Sequence, residues 1–197
     1  KTVMSRPASG VMAAAYTASK SGFDRVVTYD MGGTSCDVGL IVNGIPQVTS
    51  ELEIEYAMPI HVPMVDVHTI GAGGGSLAWV NDAGLLQVGP ESAGAVPGPA
   101  CYRLGGQDAT VTDADVLLGY LNPEYLLGGD FPIDRDLAEE AITRNVAMPL
   151  GISAVEAAQG IHLLVNSNMA RALRAVSSER GRDPRRFVLF SFGGGGP

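Results

Sequence analysis

The chain has 197 residues, enough for one ordinary domain or two small ones. With 46% hydrophobic and 17% charged residues it is not a disordered chain, which needs few apolar side chains and high charge. Thirteen Lys and Arg against 21 Asp and Glu give a net charge of −8, which argues against non-specific nucleic-acid or membrane-surface binding, since both draw on a basic patch.

Small apolar residues from Ser9 to Ala18 predict a close-packed helix ended by Gly22. Arg25 to Asp30 reads as a strand, Met31-Gly-Gly-Thr34 as a tight turn, and Cys36 to Val42 as the return strand. Asn43-Gly44 favours a two-residue hairpin turn, after which Ile45 to Ile54 is expected to continue the ladder. Together these predict an antiparallel meander and not a doubly wound parallel sheet. His61 to Ile70 alternates and runs into Gly71-Ala-Gly-Gly-Gly-Ser76, and Leu77–Val80 with Leu85–Val88 reads as a hairpin about Asp82-Ala-Gly84. Residues 89–106, dense in Gly and Pro, read as a structured loop.

The second half is helical in pattern. Thr112–Gly119 and Asp134–Val146 are predicted helices, and Ser153-Ala-Val-Glu156 is a capping box. The helix it opens is expected to run to Arg180, roughly 28 residues or ~42 Å. Val155, Ala158, Ile161, Val165, Met169, Ala172 and Val176 form its apolar stripe. Gly181 and Pro184 end it, and Arg186–Phe192 is a last strand. There is no internal repeat. The chain opens on Lys1 and closes on Phe192-Gly-Gly-Gly-Gly-Pro197, a glycine loop that leads into nothing, so a piece of a longer protein is expected. No apolar run approaches the ~20 residues that span a bilayer. The first twenty residues are too polar for a signal peptide's apolar region. Cys36 and Cys101 form no CxxC or disulfide-dense pattern, which fits a cytoplasmic location.

The most specific segment is Asp30-Met-Gly-Gly-Thr-Ser-Cys-Asp37. A carboxylate ends one strand, two glycines turn the backbone, a hydroxyl follows, and a second carboxylate starts the return. Glycines let consecutive backbone N–H groups approach an anion, but a carboxylate beside such a nest would repel a bare phosphate. The combination makes sense with Mg²⁺ between them, held by Asp30 and Asp37. No Gly-Lys-Ser/Thr follows, so this is not a Walker loop, and a strand instead of a helix follows, so the Rossmann fingerprint also fails. Gly71–Ser76 and Phe192–Pro197 are further glycine-rich strand exits, and three of them suggest a backbone-lined nucleotide cleft.

Outside these loops, Asp66 and His68 lie two apart on an expected strand, so they share a face and could ligate a divalent metal with Asp113 or Asp115. The bland alternative is a hydrogen-bonded pair. His61 and His162 read as structural. Cys36 reads as inert, because nothing basic in sequence would lower its pKa. Arg171, Arg174 and Arg180 read as a solvated helix face, and Arg171 and Arg174 could meet an acidic partner.

Tyr29-Asp-Met-Gly-Gly-Thr-Ser-Cys-Asp-Val-Gly-Leu-Ile41, the segments at 65–80, 88–102 and 110–121, and the terminal Phe-Ser-Phe-Gly-Gly-Gly-Gly-Pro197 together resemble the hydantoinase A / 5-oxoprolinase family, which includes acetone carboxylase β subunits. The resemblance covers nearly the whole chain in order. It implies an α/β, actin-like (sugar kinase/Hsp70-type, ribonuclease H-like) ATPase lobe with a mixed sheet, an antiparallel meander and packed helices, taken from the middle of a longer chain. In that comparison Asp30–Asp37 is the second phosphate hairpin. Asp30 serves Mg²⁺ and the attacking group, Gly32, Gly33 and Thr34 hold phosphate, and Gly193 and Gly194 border the adenosine.

The chain departs from the family pattern at Arg6 and Ser9, where glycines are expected, at Cys36 in place of Thr or Ala, and at Gly195 in place of Ala. The implied activity is an ATP-dependent hydrolase of cyclic amides, with ATP and Mg²⁺ or another divalent metal as cofactors. The implied partners are a small cyclic amide or ketone and a hydantoinase B-type subunit, with no nucleic acid or membrane. A carboxylase subunit, a sugar-kinase-like phosphotransferase and a non-catalytic interaction lobe are the alternatives.

Overall fold

The computed structural model describes residues 5–49, 52–53, 59–60 and 64–196. Helix α1 (Ser5–Lys20) ends at Gly22, whose φ of +81° suits a residue without a Cβ. Strand β1 (Val26–Met31) and strand β2 (Cys36–Val42) form the expected hairpin, and β3 (Ile45–Pro46) follows the turn at Asn43 and Gly44, both at positive φ. That is the two-residue turn whose twist suits a hairpin. The ladder then stops short of the expected Ile54. β4 (Val48–Thr49) pairs with β7 (Met64–Val65), and β5 (Leu52–Glu53) pairs with β6 (Pro59–Ile60). Ser50, Glu51, Ile54 and His61 lie outside the described residues.

β8 (Val67–Ile70), β9 (Ser76–Val80) and β10 (Leu86–Ser92) come next. β9 and β10 make the predicted hairpin, and β10 continues past Val88 through an irregularity into the Gly/Pro-rich stretch. The capping box of α2 (Val111–Leu117) is formed by Thr110 and Asp113. α3 (Arg135–Ile142) gives way to a π-helical turn over Thr143–Ala147, where the Asn145 side chain takes the Ala141 carbonyl at 2.9 Å and competes with the regular ladder. After the short α4 (Met148–Leu150), α5 (Ala154–Val176) starts at the predicted box: Ser153 N–H donates to Glu156 and Glu156 N–H donates to the Ser153 hydroxyl. α5 is 23 residues long and stops before Arg180. Ser177 leaves helical geometry (φ −115°, ψ −84°) and its hydroxyl closes on the Leu173 carbonyl at 2.6 Å. β11 (Val188–Phe192) ends the fold.

The chain divides into two compact units. The first takes in the described residues up to Met31, those from Cys36 to Thr69, and those from Arg171 onward. Its sheet is mixed, in the order β11-β1-β2-β3 with β8 also on β2: β1 runs parallel to β11 and antiparallel to β2. α1 covers one face, burying Val11, Ala14, Ala15 and Ala18 against Val26 and Ile41. Gly39 makes that approach possible, since a Cβ there would lie 2.8 Å from both Val11 and the Thr28 hydroxyl. The second unit holds Gly32–Ser35 and Ile70–Ala170. Its helices bury Cys101, Val116, Ile133 and Ala138 with Tyr102 and Phe131 beside them. On α5, Ala158, Ile161, Val165, Met169, Ala172 and Val176 are buried as the period predicts, while Val155, in the first turn, is exposed.

Candidate functional site

In the first unit, parallel pairing aligns Asp30 of β1 with Phe192 of β11, so both strands end at the same level. Loops beyond the carboxyl ends of such strands are where open α/β sheets bind ligands. The antiparallel register sets Asp30 directly opposite Asp37. Both therefore project from the same face as Val26, Thr28, Gly39 and Ile41, the face α1 covers. Two carboxylates directly across a ladder repel one another unless something positive lies between them. The Thr69 hydroxyl donates to Asp37, which offsets part of that repulsion. Asp30 is flanked by two glycines: a Cβ on Gly193 would overlap its Oδ1 and the Met31 carbonyl, and one on Gly10 would lie 3.7 Å from its Oδ2. Gly193 has a φ of +89°, and the loop after it folds back so that Gly195 N–H donates to the Met31 carbonyl at 2.9 Å. Gly194 is exposed, and a Cβ there would meet nothing within 4 Å.

In the second unit, the hairpin tip Gly32–Ser35 is clamped by the central glycine loop. Gly74 N–H donates to the Gly32 carbonyl at 3.1 Å, and Gly75 N–H to the Gly33 carbonyl at 2.6 Å. Gly73 N–H donates to the Ser76 hydroxyl at 2.9 Å. Only glycines permit this approach: a Cβ on Gly73 would stand 2.7 Å from Gly32 O, Gly33 C and Thr34 N, and one on Gly75 would stand 2.9 Å from Gly33 O. The expectation of three glycine loops all lining a nucleotide cleft is therefore corrected for this one: Gly73, Gly74 and Gly75 spend their N–H groups on protein. The clamp has a direct consequence. Across a planar trans peptide, C=O and N–H point in opposite directions. Pinning the carbonyls of Gly32 and Gly33 toward the glycine loop turns the N–H groups of Gly33 and Thr34 away from it. Among the described residues these two N–H groups have no acceptor, and both residues are exposed. Two consecutive outward N–H groups make an anion nest.

The remaining candidates are placed as follows. Asp66 interrupts β7 and β8, is mostly buried, and pairs with Arg180. Arg180 thus lies in the turn after α5 and not on that helix; it is exposed, as expected, but paired with Asp66. Among the described residues no three His, Cys, Asp or Glu side chains gather as a metal cluster, around Asp66 and His68 or elsewhere. Asp113 is fully buried and accepts from Cys101 N–H (2.8 Å), Ala100 N–H (3.3 Å), Thr110 N–H (3.0 Å) and the Thr110 hydroxyl (2.7 Å), which ties the segment before α2 to its first turn. Burial raises its pKa, while the donors from Cys101 and Thr110 hold it down. Asp115 Oδ1 lies 3.0 Å from His162 Nδ1, with the Tyr120 ring centred 4.8 Å from the imidazole. Burial raises the Asp115 carboxyl and the His162 contact lowers it. Single-sequence reasoning missed this pair because its members are 47 residues apart. Cys36 is buried; its thiol is pushed up to about 12, by burial first and then by Asp37, in line with an inert thiol.

The mixed sheet of the first unit, with α1 packed on one face, is an α/β fold, and the solved structures it matches place it in the actin-like ATPase class. The chain belongs to the hydantoinase/oxoprolinase family, whose model matches residues 1–197. It is 47% identical to the acetophenone carboxylase gamma subunit of Aromatoleum aromaticum over 100% of this chain and 27% of that one. The crystal structure of the ATP-dependent caprolactamase of Pseudomonas jessenii matches with a TM-score of 0.82 and 49% identity, over 93% of this chain and 26% of that one. A nucleotide-free structure from work on ATP-dependent acetone carboxylation matches with a TM-score of 0.88 and 35% identity, over 95% and 26%. The chain spans about a quarter of the length of each of these three relatives.

Proposed function

We propose that this chain supplies phosphate-binding elements to an ATP-dependent enzyme that activates a small carbonyl compound, with ring opening of a cyclic amide as the reaction. The observation that carries the reading is the clamped turn, which leaves the N–H groups of Gly33 and Thr34 turned outward. In this reading they hold a phosphate of ATP with Gly32, and Gly193 and Gly194 border the adenosine. Asp30 and Asp37 fit Mg²⁺, which takes oxygen ligands and is usually held by one or two carboxylates together with substrate phosphates. Mg²⁺ held there would neutralise phosphate charge.

ATP's γ-phosphoryl group passes to the amide oxygen and ADP departs. Water then adds to the activated carbon, the ring C–N bond breaks as the nitrogen takes up a proton, and a second water splits the resulting acyl phosphate into carboxylate and phosphate. Such transfer depends mainly on positioning and charge stabilisation, which a rigid backbone nest provides. The likeness to the ATP-dependent caprolactamase supports the hydrolytic form. Carboxylation, with the phosphoryl group on a ketone's enol oxygen, is the second reading. It is favoured by the 47% identity to an acetophenone carboxylase subunit. A hydantoinase B-type subunit is the proposed partner.

The test is product analysis with the intact enzyme and its partner subunit. Caprolactam, 5-oxoproline and N-methylhydantoin are each supplied with Mg-ATP. Ring-opened acid, ADP and phosphate in equal amounts support the hydrolase. Bicarbonate-dependent ATP use on a ketone supports the carboxylase, and a stable phosphorylated alcohol from a hydroxyl substrate would overturn both.

A further inference from the structure

We infer that Thr112 is a positioning residue for the phosphate turn, acting through the Gly74–Gly75 peptide on Thr34; the inference rests on the phosphate-binding reading of that turn. Thr112 lies in the first turn of α2, where helix N–H groups lack intrahelical partners. It directs two donors at one acceptor: its N–H reaches the Gly74 carbonyl at 2.7 Å and its hydroxyl reaches the same oxygen at 2.8 Å. The N–H of that same peptide belongs to Gly75 and donates to the Gly33 carbonyl at 2.6 Å. The peptide that carries the Gly33 carbonyl ends in Thr34 N–H, one of the two groups turned outward.

The result is a head-to-tail chain from Thr112, through the 74–75 peptide, through the 33–34 peptide, to the candidate anion. Each planar unit fixes the direction of the next, and hydrogen bonds in series polarise one another. Thr112 is almost wholly buried, and the near approach of its hydroxyl depends on Gly74, where a Cβ would lie 2.7 Å from it. The hydroxyl is not required to complete the helix cap, which Thr110 and Asp113 already form. It donates to the loop that clamps the turn, and the same hydroxyl also bonds the Tyr102 side chain. The sequence gives no sign of this, since Thr112 and Gly74 are 38 residues apart.

The experiment compares wild type, Thr112→Val, Thr112→Ser and Gly73→Ala in the intact enzyme, measuring Mg-ATP affinity by calorimetry, the ATP KM and kcat, and the melting temperature. Valine keeps the shape and the backbone donor but removes the hydroxyl. It should raise the ATP Kd and KM roughly three- to tenfold, with the melting temperature nearly unchanged, and serine should restore wild-type values. Gly73→Ala forces the turn backbone itself and should weaken ATP binding more, by on the order of a hundredfold. Unchanged ATP binding in Thr112→Val, or a loss matched by melting at a lower temperature and not rescued by serine, overturns the inference. If wild type itself binds no Mg-ATP, the phosphate-binding reading fails, a result distinct from either of these.

Discussion

The two glycine loops that follow strands β8 and β11 read alike in sequence and behave differently in the fold. In the central loop, the N–H groups of Gly74 and Gly75 are consumed in holding the hairpin tip, and that of Gly73 goes to the Ser76 hydroxyl in the same loop. In the terminal loop, Gly193 lacks a Cβ for another reason. Its positive φ and the closeness of Asp30 leave no room for one, while Gly194 one residue later stands open. A glycine run therefore signals close backbone approach without saying what approaches. One loop positions a candidate binding turn, and the other flanks the candidate catalytic carboxylate.

The largest effect is expected where the terminal loop meets that carboxylate. Asp30→Ala in the intact enzyme should lower kcat by on the order of 10²–10³ and leave ATP affinity much less affected, since its proposed work lies in phosphoryl transfer. Turnover near wild type would remove Asp30 from the mechanism. On the central side, Asp113→Ala leaves four donors without their buried acceptor and should cost roughly 3 kcal/mol, read by urea unfolding. A change below about 1 kcal/mol would show that Asp113 does not anchor α2.

Within the terminal loop the comparison is sharper. Gly193→Ala must overcome both the left-handed backbone and the overlap with Asp30, and should destabilise by about 1–3 kcal/mol while lowering kcat. Gly194→Ala should stay within about 0.5 kcal/mol of wild type. Equal costs would break the contrast between them.

The effect that is smallest at neutral pH concerns Cys36. Its folded thiol is pushed up to about 12 from an ordinary 9.0. Between those values the folded state keeps a proton that the unfolded state has lost. Stability therefore falls as pH rises through that window, by no more than about 1.4 kcal/mol per pH unit. Cys36→Ala should flatten the pH dependence measured from pH 9 upward. Labelling by iodoacetamide at pH 8 should miss Cys36 in the folded protein and find it in urea.

Local signals carried much of this fold into the sequence. The Asn43-Gly44 turn, the β1–β2 and β9–β10 hairpins, the Ser153–Glu156 box and the buried stripe of α5 all follow from residue type and spacing over a few positions. What was not legible depends on partners far along the chain. Parallel pairing of β1 with β11 has no local signature. Val155 has the right period but sits in the first turn, where it is left exposed. The early end of α5 rests on Ser177 closing on Leu173, and the fate of Asp66 on an arginine 114 residues away. At the candidate site, Asp30, Gly32, Gly33 and Thr34 were visible as a motif. The clamp by Gly73, Gly74 and Gly75, and its tie to Thr112, required the backbone directions.

The central claim is that the clamped turn offers the N–H groups of Gly33 and Thr34 to a phosphate. The most direct measurement is a crystal structure of the intact enzyme with Mg²⁺ and a non-hydrolysable ATP analogue. The account predicts a phosphate oxygen within about 2.7–3.2 Å of both nitrogens, with the Gly74 and Gly75 N–H groups still on the carbonyls of Gly32 and Gly33. A nucleotide bound with its phosphates away from Gly33 and Thr34 would contradict it.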